Sequence, residues 1–436
     1  MEKTHDSSRH PARGRATRRG GAYVVVLAIT VIVALMGLGS IIAGRVRLRT
    51  AQIGNQAADA RLYAQTGTEA ARLWVSQDPD WRKNYPGTRF GLNQPFNLEG
   101  GSFTVELEDP LDNNLTNRPH DVAALTATGV KGGARQIVQV RLKAKPTPLP
   151  ALAFALHADV PGRVNSGNTI SVATSAVSTN TNVQNDGTIT GDVEIPASAM
   201  SPQGTVTGAV RALSKTKAFP PRSVIDMYAA LGTPINPGTT IANRVIAPNY
   251  NVWPGGGSNP DGVYVIRSSS DMTIRNSRIE GTLVIICPGR TVTFEGNFLL
   301  HTAPRGDYPV LIIDGNAVFA YDSSTPLQET LLGTNFNPDG APYPGAVPDD
   351  LLGDLLDSYP SEIQGLVHVT GTVTFTNTAK IKGALLAESP LTLNAVQFQG
   401  TNTIEYDRAL FTNPPQGYTE SVKMVVEPNS WKRVVR

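Results

Sequence analysis

The chain has 436 residues, with 38 Lys and Arg against 36 Asp and Glu, 41 Gly, 32 Pro and a single Cys. That length suggests two or three domains of about 150 residues each. The near-neutral charge, with the excess cations gathered at the N-terminus, excludes a nucleic-acid partner read through a basic stripe with interleaved aromatics, and one cysteine, Cys287, excludes an internal disulfide.

Residues 1–21 form a basic leader that includes Lys3, Arg9, Arg13, Arg15, Arg18 and Arg19. Ala22 to Ala43 is then 22 residues without a charged side chain. At about 1.5 Å per residue such a helix is about 33 Å long, enough to cross a bilayer core of about 30 Å. A removable export signal has an apolar core of only about 7–15 residues. Helix-compatible sequence also continues to Gln77, where Asp78-Pro79 stops it, because the residue before proline resists the α conformation. The expected element is one rod over 22–78, half in lipid and half outside as an amphipathic stalk. Six Lys and Arg precede the span and three (Arg45, Arg47, Arg49) follow it, which places the N-terminus in the cytoplasm and the bulk of the chain beyond a cytoplasmic membrane.

A basic leader, the step Gly20-Gly21, an apolar stretch and a helix running on as a stalk resemble the N-terminus of type IV pilin-like proteins, in particular PilX-like minor pilins. The resemblance implies cleavage by a prepilin peptidase at Gly20-Gly21 or Gly21-Ala22, making Gly20, Gly21 and Ala22 the candidate processing residues. It also implies other pilin-like subunits as partners. Major pilins carry Glu at the fifth mature position; here Val25 or Val26 stands there, as suits some minor, tip-type members.

Residues 79–145 read as a small antiparallel sheet. Phe96 to Glu108 alternates apolar and polar side chains around a Gly-Gly turn, and Ala123 to Leu142 is a strand, turn and strand of period two. A helix on three or four such strands is similar to a pilin head. Lys143 to Pro150 is expected to be a stiff proline-rich linker, with the junction at 146–151.

From 152 to 420 the chain repeats. Gly187-Thr-Ile-Thr-Gly-Asp-Val193 returns as Gly204-Thr-Val-Thr-Gly-Ala-Val210 at a spacing of 17, and Gly365 to Phe375 aligns with Gly383 to Leu393 at 18. Three short strands with tight turns make one coil of roughly that length, and stacked coils bury a continuous core as a parallel β-helix. The inward positions are expected at Val284, Val292, Ile312, Val367, Val373, Leu385, Leu391 and Ile404, with Val367 facing Leu385, Val373 facing Leu391 and Phe375 facing Leu393. Insertions at 211–260 and 322–362 carry helical stretches at Ser223–Leu231 and around Leu351, Leu352, Leu355 and Leu356. Residues 421–436 form a tail. An antiparallel sandwich has similar turn spacing. The fold class is thus α+β followed by all-β. The later coils resemble the C-terminal β-helical domain of large bacterial pilin-like proteins.

Chemistry is sparse. Asn335-Phe-Asn-Pro-Asp339-Gly340 echoes half of a calcium loop but brings one carboxylate, and Ala346 stands where the bidentate Glu belongs. The six His have no metal-ligand spacing. Asp307, Asp314, Asp322 and Arg290 fall at turns and form no paired acids at repeat spacing, so no enzyme, metal or cofactor is expected. The expected role is a non-enzymatic, membrane-anchored structural subunit, a minor pilin or pseudopilin of a pilus or secretion system of the cell envelope. The alternative is a permanently anchored envelope protein whose β-helix binds a polysaccharide or a protein, and a third reading, ranked below both, is an enzyme acting on polysaccharide.

Overall fold

The computed structural model describes residues 19–78, 81–84, 95–111, 113–116, 121–159, 162–197, 204–253, 257–302, 306–344, 353–389 and 396–434. The chain divides into two compact units, one of residues 1–117, 121–143 and 425–436, the other of 118–120 and 144–424.

The first unit is a helix on an antiparallel sheet. Helix α1 runs unbroken over Arg19–Gln77, ending where the Asp78-Pro79 step forbids continuation. Strands Phe96–Leu98, Gly101–Glu108, Ala123–Lys131 and Ala134–Pro148 pair antiparallel in chain order. Alternation of buried and half-exposed residues in Gly101–Glu108 confirms the period-two pattern that one-faced burial requires. The expected tail adds to this sheet: Lys432–Val434 pairs antiparallel with Ala134–Pro148, and Thr419–Val426 neighbours the same strand. The expected linker is also structured. Ala134–Pro148 is one strand through Pro148, a 3-10 turn follows at Pro150–Ala153, and Leu149 and Leu152 are buried. The prolines sit at a strand end and at the first turn position, where a missing N–H costs nothing.

The second unit is built from parallel strands that close on themselves. The repeats are real pairings: Thr188 stands beside Thr205 and Val193 beside Val210 at 17 residues, and Val367 stands beside Leu385 at 18. Val373 and Phe375 pair with Val396 and Phe398 rather than with Leu391 and Leu393, because the chain breaks after Ala387 and resumes its strand only at Val396. Leu391 lies outside the described residues.

Following the hydrogen bonds gives a rung order that differs from chain order: 233–246, 263–280, 282–301, 311–364, 366–382, 384–406, then 156–173, 176–190, 193–206 and 210–212. The chain therefore enters in mid-ladder, beside its own late residues, with Leu156 next to Leu385. It climbs to one end, then restarts at the other. Part of the expected 211–260 insertion is the rung 233–246. Helix Ser223–Leu231, found where expected, packs outside the strands: Val224, Ile225 and Tyr228 share an apolar cluster with Val263, Val265, Val284, Ile312, Leu366 and Leu386.

That helix corrects the inward set. Val292, Val367, Val373, Leu385 and Ile404 do belong to the interior cluster, but Val284 and Ile312 face the helix, and Leu283, Ile285, Leu311 and Ile313 point inward in their place. In the insertion 322–362, the described residues after Gly353 are not helical, and Leu355 and Leu356 are exposed. Leu351 and Leu352 lie outside the described residues.

Candidate functional site

The first candidate is the N-terminal rod. Gly20 and Gly21 lie within α1, which begins at Arg19, so the candidate processing step falls in the first turn of a continuous helix. The leader before Arg19 lies outside the described residues. Gly21, Ala22 and every side chain on to Ala43 are exposed, with Val24, Leu27, Val31, Leu35 and Leu38 among the bare aliphatics. By length and composition this helix is a candidate membrane span. Among the described residues nothing covers it, and about 20 uncovered apolar residues are unstable in water.

Further along, α1 changes character. Ala60, Ala64, Thr68, Ala71 and Val75 recur at three and four residues and are buried, the single stripe of a helix laid on a sheet. Small residues set a short separation between the two. A Cβ on Gly129 would stand 2.0 Å from the Ala60 carbonyl oxygen, and one on Gly67 would meet the Phe103 ring at 2.8 Å.

Of the carboxylates expected at turns in the second unit, Asp322 caps the Ser324 N–H, whereas Asp314 lies inside the strand Leu311–Tyr321. Asp314 accepts from both terminal nitrogens of Arg222, at 2.9 Å from Nη1, and from Thr370 Oγ1 at 3.1 Å. Asp322 accepts from Ser324, Thr325 and Thr378, and these bonds hold its carboxyl down at about 2. Asp307 accepts from Gln416 Nε2 at 2.9 Å. In the calcium-loop echo, Asn335 caps the Asn337 N–H at 2.6 Å. Close by, carboxylate oxygens of Glu329, Asp354 and Asp357 lie within 4.8 Å of one another. Backbone N–H groups of Asp357 and Leu356 and the Tyr359 hydroxyl already bond to that trio, so it reads as a loop staple. Cys287 is fully buried, and burial pushes its thiol up to about 11, making it an inert core residue.

Sequence reasoning missed a charged stripe. Glu280, His301, Gln364, Lys382 and Glu405 stand in register on successive rungs. Beside them the buried Glu362 is held by Lys382 at 2.8 Å and Lys380 at 3.5 Å, and Lys380 reaches Glu405 at 3.1 Å. Rungs of unequal length hide this from a fixed repeat. The Glu362 hydrogen bond raises the Lys382 pKa, so the ammonium keeps its proton and is no general base.

One cleft of about 1090 Å³ is lined by Phe154, Phe219, Asp159, Asn180, Glu194 and Lys217 among others. Four of its polar residues bond one another. Lys217 Nζ bonds Glu194 at 2.8 Å and sits 4.5 Å over the Phe154 ring, while Asn180 donates to Asp159 at 2.7 Å and accepts from the Lys217 N–H at 2.8 Å.

No family model and no curated protein matches the chain. Among solved structures it is similar to the competence-associated pilin ComZ from Thermus thermophilus, at 11% identity and a TM-score of 0.21, over 87% of this chain and 98% of that one. It is also similar to the ice-binding protein LeIBP from Arctic yeast, at 11% identity and 0.28 over 58% and 94% of the two chains. A third likeness is to the DUF3494 domain of a Shewanella frigidimarina ice-binding protein, at 11% and 0.26 over 59% and 96%.

Proposed function

We propose that the chain is a non-enzymatic, pilin-like display subunit: a rod anchored in the cytoplasmic membrane, a small helix-on-sheet head, and a β-helix held outside. The supporting observation is the single helix Arg19–Gln77, bare and apolar over its first part and packed on an antiparallel sheet over its second. A helix of that kind can leave lipid and enter the apolar core of a filament with the same face, because both environments satisfy it without polar partners. The reading takes cleavage next to Gly21 as the entry step, prepilin peptidase as the enzyme, and other pilin-like subunits as the partners in a pilus or pseudopilus. The parallel rungs are the cargo, read as a β-helix because each stacks in register on the next.

Mass spectrometry of the native N-terminus tests this. A mature start at Gly21 or Ala22 is the expected result. An intact leader on the mature protein rejects assembly and leaves the permanently anchored protein.

A further inference from the structure

Across four successive rungs the outer face carries two files of hydroxyls. Thr401, Thr169, Thr188 and Thr205 stand in register in the first file, and Thr403, Ser171 and Thr190 in the second. The residues between the files, Asn402, Ile170 and Ile189, are buried, so the files stand on a packed base. Among the described residues no hydrogen bond within the protein occupies these seven side-chain hydroxyls, and the strip contains no charged residue. Thr207 closes the second file and accepts from the Gly191 N–H at 3.1 Å. Lys380 continues the second file on the rung before Thr403 and is held by Glu362 and Glu405, and Lys382 and Glu405 stand one step further along the strands, so the strip ends at a set of charges paired with one another.

We propose that this strip binds a neutral polysaccharide chain laid along the ladder. Each hydroxyl both donates and accepts, which matches sugar hydroxyls and offers an ionic ligand no counter-charge. At about 4.8 Å between rungs and about 6.7 Å between files, the strip measures about 14 by 7 Å. Two files fit one extended chain. The regular spacing suits a ligand that repeats. Without an aromatic platform each contact is weak, and affinity for a polymer comes from the many equivalent epitopes along one chain. The inference deepens the display reading, since it needs the β-helix outside the membrane, but binding in solution is measured without regard to leader cleavage.

The test uses the full-length chain in detergent micelles, run by affinity electrophoresis through gels containing hydroxyethylcellulose and titrated with β-1,3- and β-1,4-linked glucose hexasaccharides. The expected result is saturable retardation by the neutral polymer. In the combined variant Thr169→Val, Thr188→Val, Thr190→Val that binding falls at least about tenfold, while the corresponding Ser variant keeps it. Unchanged circular dichroism melting shows that the variants fold, and should the valine set unfold, Thr190→Lys alone carries the same expectation. No retardation of the wild type, equal binding by the valine variant, or equal binding to polygalacturonate overturns the proposal. Slowed ice recrystallisation that the valine changes abolish, without glucan binding, also overturns it and assigns the strip to ice.

Discussion

Two histidines fix how this fold responds to acid. His157 is fully buried, stacked 5.0 Å from the Phe219 ring, and neither ring nitrogen has a well-formed hydrogen bond. Burial, and secondarily the charge of Lys217, lowers its pKa to about 3. Burial and Arg278 lower that of His301 to about 4. In the unfolded chain both take up a proton as pH falls through 6.5, while in the folded chain they stay neutral. Their contribution to stability is therefore complete above pH 6.5 and is lost as pH falls toward 4 and 3, at up to about 1.4 kcal/mol per pH unit for each. Melting at pH 7 and pH 5 should show a drop for the wild type and a shallower one for His157→Phe, which keeps the ring stack. An equal drop in both would mean that His157 is protonated when folded. Gly129 supports a second prediction. With backbone atoms of Ala60 and Ala64 at 2.0 and 2.5 Å from any added Cβ, Gly129→Ala must push α1 off the sheet, at a cost of about 1–3 kcal/mol in denaturant unfolding. Neither residue stood out beforehand, because burial of a histidine and close approach of a helix depend on contacts far along the chain.

Among the elements, those governed by local chemistry could be read in advance. Helix α1 ends at its Asp-Pro signal, helix Ser223–Leu231 occupies its expected residues, and the spacings of 17 and 18 are true strand pairings. Strand facing could not be read where both faces are covered. Leu283-Val-Ile-Ile286 and Leu311-Ile-Ile313 pack inward on the ladder core and outward on helix Ser223–Leu231, so their aliphatic runs carry no alternation to show which residue faces which way. The helix is the cause of that ambiguity, and it is also what a mutation can probe. Tyr228 is fully buried, donates to the Gln416 carbonyl at 2.9 Å and meets the Tyr308 ring edge-on at 5.3 Å. Tyr228→Ala should cost about 3–5 kcal/mol by cavity formation, and Tyr228→Phe about 1 kcal/mol for the lost hydrogen bond. Thermal melts of the two variants separate packing from polar anchoring. A small effect of the alanine change would mean that the helix is detachable.

Rung order exceeds what any repeat can reveal, because the spacing of neighbours in sequence says nothing of a join between distant segments. The strands at 156–173 complete their hydrogen bonds on 384–406, roughly 230 residues later in the chain, and pairings over such separations form slowly. The hydroxyl-bearing rungs therefore have no base until the late rungs exist. Ile404, fully buried and in register with Val172, lies on that join. Ile404→Asp places an unpaired carboxylate in the interior cluster, and its effect should travel to residues distant in sequence. Hydrogen exchange followed by mass spectrometry should show lost protection at 169–172 and 188–195, with the rungs at 263–301 retaining theirs, since those rest on 233–246 and 311–321. Uniform loss across all rungs would show that the ladder melts as one cooperative unit. No loss at 169–195 would show that the early rungs stand on their own, and the join at Leu156 and Leu385 would then be a contact the fold can do without.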